Sequence, residues 1–232
     1  MTPANMNAAG VWAKFCHRFG VAERSVPLFA VDDAGVVATR LVGRGESTRS
    51  VLMRSPAMEA LVLAETAKLV ADWQAGTHRY DGLIYCMGWR RADQFVPLYI
   101  GKAETLGKGD RNLSANLKGL ATDRSKFARW GDNYAYHIGD LSACVLPGHR
   151  PEKHTGKYKK WAGTLVETVP SSTPKLREPV SFWTCAWDRP PVGVWEELGP
   201  TPLAFLEYLL IGVAGLVSPA LLNREGIARG AR

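Results

Sequence analysis

The sequence lacks the paired cysteines of a zinc site or of a disulfide framework. Its four cysteines, Cys16, Cys86, Cys144 and Cys185, are widely separated, and no Cys-x-x-Cys pair occurs. The first twenty residues contain no apolar core of a secretory signal, because polar and charged residues are spread through them. We therefore expect buried free thiols in a cytoplasmic protein.

Long apolar runs that could cross a membrane are also missing. One run, Leu203 to Val217, is interrupted by Glu207 and is followed by Ser218-Pro219. Its fifteen residues would form a helix of about 22 Å, short of the roughly 30 Å hydrocarbon core. We expect a buried helix and no membrane partner. A membrane anchor over residues 203–222 is a weaker alternative, which predicts a lipid-exposed helix.

The composition is that of a globular protein with an excess of positive charge. The 232 residues are 46% hydrophobic and 22% charged, which argues against disorder, collagen and simple coiled coil. The net charge is +7, and residues 81–130 alone carry +4. A polyanionic partner such as nucleic acid is one explanation, and the middle of the chain is where its binding surface is expected.

A phosphate-binding loop of the NTPase type is excluded by spacing. Gly101 is followed by Gly107-Lys108 after five residues instead of four, and Gly109 stands where a Ser or Thr is needed.

Turn residues and hydrophobic periodicity predict a mixed α/β chain. Ser55 as N-cap and Pro56 at the first helical position predict a helix that stops at Gly76. Thr201-Pro202 predicts the start of the last helix. A surface helix is expected over residues 112–129 and a long loop over 147–179. The predicted strands are two within Val26 to Val42, then 82–89, 95–101, 134–142 and 182–187.

Two segments have the residue types of a functional site. Glu207 shares a helix face with apolar residues, so burial of its carboxylate would need a cation, a metal or hydrogen bonds. A position at the rim with a salt bridge to an arginine is the alternative. Residues 153–161 interleave lysines with aromatics, which suits phosphate contact and base stacking, although a solvated basic loop is equally consistent.

Four short motifs occur in an order that resembles the GIY-YIG nuclease family. Gly82-Leu83-Ile84-Tyr85 and Leu98-Tyr99-Ile100-Gly101-Lys102-Ala103-Glu104 resemble the paired signature of that family. Glu207 in an apolar helix, followed by Ser218-Pro219-Ala220-Leu221-Leu222-Asn223, is similar to its metal-binding Glu and its Pro-x-x-Asn element. The first motif carries one extra residue, and residues 1–80 are not covered.

The resemblance implies an α/β (α+β) core, a three-stranded antiparallel sheet flanked by helices. The nuclease-like domain would span residues 80–232, with an internal basic insertion at about 147–179, and residues 1–79 would form an N-terminal extension. It further implies a DNA endonuclease that hydrolyses phosphodiester bonds with one divalent metal, Mg²⁺ or Mn²⁺.

The resemblance also implies roles for individual residues. Tyr85 and Tyr99 would lie side by side, with Tyr85 activating the water, and Glu207 would hold the metal. Arg111 would clamp the scissile phosphate, with Arg124 as a substitute, and Asn223 would brace the site from behind.

Other cations would contact the DNA, and the biological role within the class stays open. Lys102 and the basic insertion, with Lys157, Lys159 and Lys160, are the expected substrate contacts. A restriction-type enzyme is favoured over a mobile-element or repair nuclease, because an extension and a basic insertion could house base contacts. The rival is a catalytically silent nucleic-acid-binding module. A homodimer would supply two active sites for cutting both strands.

Overall fold

The computed structural model describes residues 3–107, 109, 112–188 and 201–225, and within them both helices and strands occur throughout the chain. The α-helices are α1 (Pro3–Phe19), α2 (Val21–Arg24), α3 (Pro56–Ala75), α4 (His137–Val145), α5 (Gly156–Leu165) and α6 (Leu203–Val217). The strands are β1 (Val26–Pro27), β2 (Thr39–Val42), β3 (Arg49–Leu52), β4 (Tyr80–Arg91), β5 (Gln94–Glu104) and β6 (Val180–Asp188). Short 3₁₀ helices cover Gly45–Ser47, Phe127–Arg129 and Pro151–Lys153.

The main sheet is antiparallel and flanked by helices, which confirms the predicted fold class at that level. Its four strands lie in the order β1-β6-β4-β5, so the prediction of three strands is wrong. The added strand is the two-residue β1, whose pairing with β6 is extended by a hydrogen bond from the Leu28 amide to the Val180 carbonyl, 2.8 Å. β2 and β3 form a separate two-stranded antiparallel sheet.

The chain divides into two compact units that are each built from separate segments. Unit 1 contains Met1–Val26, Ala64–Ser114 and Ser181–Arg232, and unit 2 contains Pro27–Leu63 and Ala115–Val180. The predicted extension, residues 1–79, is therefore shared between the units. The segment expected to be an insertion, about 147–179, belongs to unit 2.

In unit 1, helices α1 and α6 cover one face of the sheet. Strand residues point alternately to the two faces, and Ile84, Cys86 and Ile100 point to the helix-covered face. They pack with apolar residues of both helices, among them Phe15 and Leu206. Burial of this face stabilises unit 1 by removing apolar surface from water.

In unit 2, α4 and α5 pack together, and three predictions made for this region are wrong. Residues 134–142 were expected to form a strand, but buried side chains recur at helical spacing and form α4. The helix predicted over 112–129 is replaced by turns, ending in Phe127, Ala128 and Arg129 with positive φ. The loop predicted over 147–179 contains α5, whose apolar residues also recur at helical spacing.

The predictions that rest on local turn and capping residues are confirmed. Ser55 caps α3, because its Oγ accepts a hydrogen bond from the Met58 amide at 2.9 Å. The helix ends before Gly76, whose φ of +67° lies in the left-handed region. The predicted β4–β5 hairpin, β6 and α6 are also present.

Within the described segments, no helix has the length and apolar character that a membrane span requires. The four cysteines are free thiols; Cys86 and Cys185 are buried, whereas Cys16 and Cys144 are half-buried.

Candidate active site on the β4–β5 hairpin

The two motif tyrosines lie together on one face of the β4–β5 hairpin. In the antiparallel register Tyr85 is opposite Gly101, and Tyr99 is opposite Met87. These positions have the same parity, so both rings lie on the face that α1 and α6 leave uncovered. The ring centroids are 6.4 Å apart, with a tilt of 34° between the planes.

The Tyr85 ring lies directly over the backbone of Gly101. A Cβ atom placed on Gly101 would be 2.7 Å from both Cε2 and Oη of Tyr85, closer than unbonded atoms approach. Any side chain at position 101 would therefore displace the ring. The glycine of the second motif thus has a physical role, which is to leave room for the tyrosine of the first.

Tyr85 is held from its other side by β6. Its ring stacks on Phe182, with centroids 6.2 Å apart and planes at 29°. Tyr85 is only 3% exposed, whereas Tyr99 is half-buried. Contacts with Gly101, Phe182 and Tyr99 fix the orientation of the Tyr85 ring before any substrate arrives.

Asn223 closes the outer edge of β5 next to the tyrosines. Its Nδ2 donates to the Ile100 carbonyl at 2.8 Å, and its Oδ1 accepts from the Ile100 amide at 3.0 Å. The Leu222 amide donates to the Leu98 carbonyl at 2.7 Å. The buried amide of Asn223 therefore fixes the residue that stands between Tyr99 and Gly101.

Gly82, the first glycine of the motif, is also required by close packing. Its φ is +154°, and an added Cβ would lie 2.3 Å from the Ala103 carbonyl oxygen and 2.8 Å from Leu203 Cδ2. The glycine lets the start of α6 approach β4 closely. It thereby positions the helix that carries Glu207.

Glu207 does not point into the apolar core, contrary to the prediction. The residues of α6 that are buried against the sheet are Leu203, Leu206, Leu210, Ile211 and Ala214. Glu207 is half-buried at the border of that buried face. Because α6 covers the face of Ile84 and Ile100, Glu207 comes from the side of the sheet opposite the tyrosine rings.

Lys102 also lies on the α6 side of the sheet. It has the same parity along β5 as Ile100, and its ammonium forms an ion pair with Glu104. Lys102 is thus partly neutralised and points away from Tyr85 and Tyr99.

The donor set for a divalent metal is small. Across residues 3–107, 109, 112–188 and 201–225, no group of three or more His, Cys, Asp or Glu residues is arranged to hold a metal ion. Glu207 is a partly exposed single carboxylate. This fits Mg²⁺, which keeps several waters and binds proteins through one or two carboxylates.

Two arginines, Arg111 and Arg124, are candidates for contacting the scissile phosphate, and the structure describes only the second of them. Arg111 lies outside the described residues. Arg124 belongs to unit 2, where its Nε is 3.3 Å from Glu59 Oε2 and its guanidinium lies 4.9 Å from the centroid of Phe127. Arg124 therefore has a structural environment of its own.

The basic segment 153–161 does not offer aromatic rings for base stacking. Tyr158 and Trp161 are buried in unit 2 against His137, so their alternation with lysines reflects the two sides of α5. Lys159 and Lys160 are exposed, and Lys157 lies over the rings of Trp161 and Tyr158. Lys159 and Lys160 are therefore on the solvent-exposed side of α5, whereas Tyr158 and Trp161 are on its buried side.

Sequence reasoning missed Phe182 and Glu104. Phe182 stacks on Tyr85 from a strand almost a hundred residues later, and no linear spacing announces that pairing. The ion pair between Glu104 and Lys102 could have been predicted, because residues two apart on a strand share a face and the two side chains carry opposite charges.

Comparisons with models of known protein families, with curated proteins and with solved structures found no match to this chain.

Proposed function

We propose that the protein is a metal-dependent DNA endonuclease that hydrolyses phosphodiester bonds. The observation that carries the proposal is the tyrosine pair: Tyr85 lies over Gly101, beside Tyr99, on a strand whose edge is closed by Asn223. These residues belong to three separate motifs of the sequence, and they meet around one short stretch of β5.

Phosphodiester hydrolysis needs an activated water and positive charge around the phosphate oxygens. A tyrosine has a pKa of about 10 and becomes an effective base only where a cation favours its phenolate. In the proposed site Tyr85 orients and activates the water, and Tyr99 borders the same phosphate. Arg111, which belongs to the same unit as the tyrosines, supplies the cation that clamps the phosphate.

The proposed metal, Mg²⁺ or Mn²⁺, would be held by Glu207. Once bound, such an ion would neutralise charge on the phosphate and lower the pKa of a coordinated water. Glu207 and the tyrosines approach from opposite sides of the sheet, so we propose that the phosphate lies beside β5 near Lys102, where both sides are within reach.

The proposed substrate is DNA, and exposed cations provide its phosphate contacts. Lys159 and Lys160 are exposed on α5, and Lys157 and Lys102 are half-buried. A restriction-type role predicts discrete plasmid fragments, whereas a repair or mobile-element nuclease would require a lesion or a long site. A homodimer would cut both strands in one encounter.

A catalytically silent nucleic-acid-binding module is the second candidate. One observation favours it: Glu207 and the tyrosine rings lie on opposite sides of the sheet. This module would keep the hairpin and the basic surface but would not hydrolyse the backbone.

The deciding experiment is cleavage of supercoiled plasmid with Mg²⁺ or with EDTA. We expect wild type to nick the plasmid only with Mg²⁺, and Tyr85→Phe and Glu207→Gln to lose at least about a hundredfold in rate. Tyr208→Phe, at an exposed tyrosine beside Glu207, and Glu23→Gln, at an exposed glutamate, are the matched controls.

The possible outcomes separate the candidates. Metal-dependent nicking that survives both substitutions would remove Tyr85 and Glu207 from the site. If Tyr85→Phe loses nicking activity and Glu207→Gln keeps it, the metal is bound by another carboxylate. DNA binding by wild type without any cleavage would establish the silent module.

A further inference from the structure

The β2–β3 hairpin of unit 2 carries three arginines and has an exposed tip. Residues 39–49 contain Arg40, Arg44 and Arg49 against one acidic residue, Glu46. Every residue of the tip, 43–48, is exposed, and so is Leu41, at 71%. The hairpin is therefore basic at its far end and is not covered there by the described chain.

The other end of the hairpin is firmly anchored. Val51 and Leu52 are buried. The Leu52 amide donates to Ser142 Oγ at 2.9 Å, and Ser142 Oγ donates to the Ile138 carbonyl at 2.6 Å. β3 is thereby fixed to α4, and the tip projects from a rigid base.

His149 adds a second anchor on the same strand. Its Nε2 lies 2.9 Å from the Ser50 carbonyl oxygen, which can only accept, so Nε2 carries the proton. Its Nδ1 therefore accepts from the Tyr134 hydroxyl, at 2.9 Å. Burial lowers the pKa of His149, in agreement with a neutral ring. This chain of bonds joins the hairpin to the segment around Tyr134.

The arginines of the hairpin are held in place by that segment. Arg49 Nη2 donates to the Asp132 carbonyl at 3.1 Å and to Asn133 Oδ1 at 3.2 Å, and its guanidinium lies 4.7 Å from the centroid of Tyr134. Arg40 forms an ion pair with the Asp132 carboxylate. Side chains that are already ordered lose little entropy on binding a ligand.

Positive charge in this cluster exceeds the negative charge available to it. Asp132 forms ion pairs with Arg40 and, at 2.7 Å, with the buried Arg54. Glu59 forms ion pairs with Arg54, at 2.8 Å, and with Arg124, at 3.3 Å, so two carboxylates are shared among three arginines. Arg49 donates to a carbonyl oxygen and to an amide oxygen, neither of which is charged, and its buried Nε has no partner within the described residues. The cluster is therefore suited to an external anion.

The backbone beside the cluster is strained. Phe127, Ala128 and Arg129 have φ of 33°, 50° and 77°, a region that residues other than glycine rarely occupy. Such strain persists only where the surroundings fix it, and it is common at functional sites. Here it directs the Trp130 carbonyl towards Arg54, at 2.8 Å.

We propose that the β2–β3 hairpin is a DNA-contacting ribbon that inserts its tip into the major groove. Two strands about 4.8 Å apart fit a groove about 12 Å wide. Arg40 and Arg49 contact phosphates, Arg44 reaches into the groove, and Leu41 lies against sugars or thymine methyl groups. This inference rests on the proposed DNA substrate and assigns the recognition of that substrate to a named element.

The shape of the ribbon favours duplex DNA over duplex RNA. The major groove of A-form RNA is deep and too narrow for side chains to read. The variants described below should therefore lose more affinity for duplex DNA than for duplex RNA. If they lose as much or more affinity for duplex RNA, the assignment to the major groove of DNA is wrong.

The test is the affinity for a fluorescent DNA duplex in EDTA, measured across a salt titration. We expect Arg44→Ala to weaken binding about fivefold and to reduce the salt slope by about one, because one phosphate or base-edge contact is lost. Arg44 is exposed, so its substitution should leave the thermal unfolding midpoint unchanged. Arg18→Ala, at an exposed arginine of α1, removes the same charge and should have little effect.

Leu41→Ser is the second variant, because it changes the ribbon without changing its charge. We expect it to weaken binding about threefold at all salt concentrations, because an apolar contact that is buried in the complex with DNA is lost. If Arg44→Ala and Leu41→Ser both bind like Arg18→Ala, the ribbon assignment is wrong.

The outcomes for the ribbon and for the nuclease are distinguishable. Plasmid cleavage together with unchanged binding by the ribbon variants would overturn the ribbon and leave the nuclease. If the variants bind DNA more weakly than wild type but wild type never cleaves, the ribbon is supported and the nuclease is overturned. A wild type that binds no duplex would overturn both.

Discussion

The two antiparallel hairpins of the molecule are built in opposite ways. β4–β5 is long, is buried on both faces near Tyr85, and has its outer strand closed by Asn223. β2–β3 is short, is buried only at its base, and ends in an exposed basic tip. The difference shows how one kind of element can be used in two ways: the buried hairpin fixes side chains against one another, and the projecting hairpin leaves them exposed to solvent.

The largest effect is expected from Gly101→Val in the buried hairpin. The new side chain overlaps the Tyr85 ring, so the ring must move, and stability should fall by about 3 kcal/mol. Urea unfolding measures the change. Gly163→Ala is the control, because a Cβ there meets nothing within 4 Å and α5 should become slightly more stable. Equal effects of the two substitutions would contradict the packing described for Tyr85.

Asn223→Ala should have the next largest effect. It removes two hydrogen bonds and leaves the Ile100 amide and carbonyl unpaired, at a cost of about 2 kcal/mol. Asn112→Ala, at an exposed asparagine, is the matched control and should be close to neutral. Hydrogen exchange at the Ile100 amide gives a second measurement, and a rate unchanged by Asn223→Ala would disprove the closure of the β5 edge.

The dependence of stability on pH around 6.5 should come from unit 2. His137 is buried between Trp130 and Trp161, and burial lowers its pKa well below 6.5; the pKa of His149 is also lowered. The unfolded histidines bind protons first as the pH falls through 6.5, so stability is complete above that value and declines below it. Each unit of lowering corresponds to about 1.4 kcal/mol.

Urea midpoints at pH values on either side of 6.5 measure this decline. His137→Gln should flatten it, because the substituted side chain takes up no proton. A decline of undiminished slope in that variant would assign the pH dependence to other groups.

The smallest effect concerns thiol reactivity, which should differ between the units. Burial raises the pKa of Cys16 and of Cys185 to about 12, and that of the fully buried Cys86 is raised as well. The pKa of Cys144, in unit 2, is raised less by burial, and the positive charge of Lys159 lowers it. A thiol-specific dye at mildly alkaline pH should therefore label Cys144 first, since only thiolates react. Mass spectrometry identifies the labelled residue, and faster labelling of Cys185 would contradict its burial.

Local chemistry explains what the sequence could predict. The cap of α3 at Ser55, the stop at Gly76 and the β4–β5 hairpin depend on neighbouring residues, and their patterns are visible within a few positions. The tyrosine pair follows from the hairpin, because strand alternation determines which side chains share a face.

Long-range packing explains what could not be predicted. The fourth strand β1 exists only because β6, some 150 residues later, pairs with it. Residues 134–142 alternate like a strand, yet His137, Ile138 and Leu141 are buried together in a helix. Helical periodicity placed Glu207 among apolar residues, but the face of α6 that contacts the sheet is centred one position away, on Leu206 and Leu210.

The amide side chain of Asn223 has a consequence for solubility. An outer strand with unpaired amide and carbonyl groups is a template on which a strand from another molecule can grow. At Ile100 those groups are occupied by an amide side chain, and at Leu98 by the amide of Leu222, neither of which continues as a strand. The same contact that steadies the tyrosine motif therefore also makes the backbone groups of Leu98 and Ile100 inaccessible to a strand from another copy of the protein.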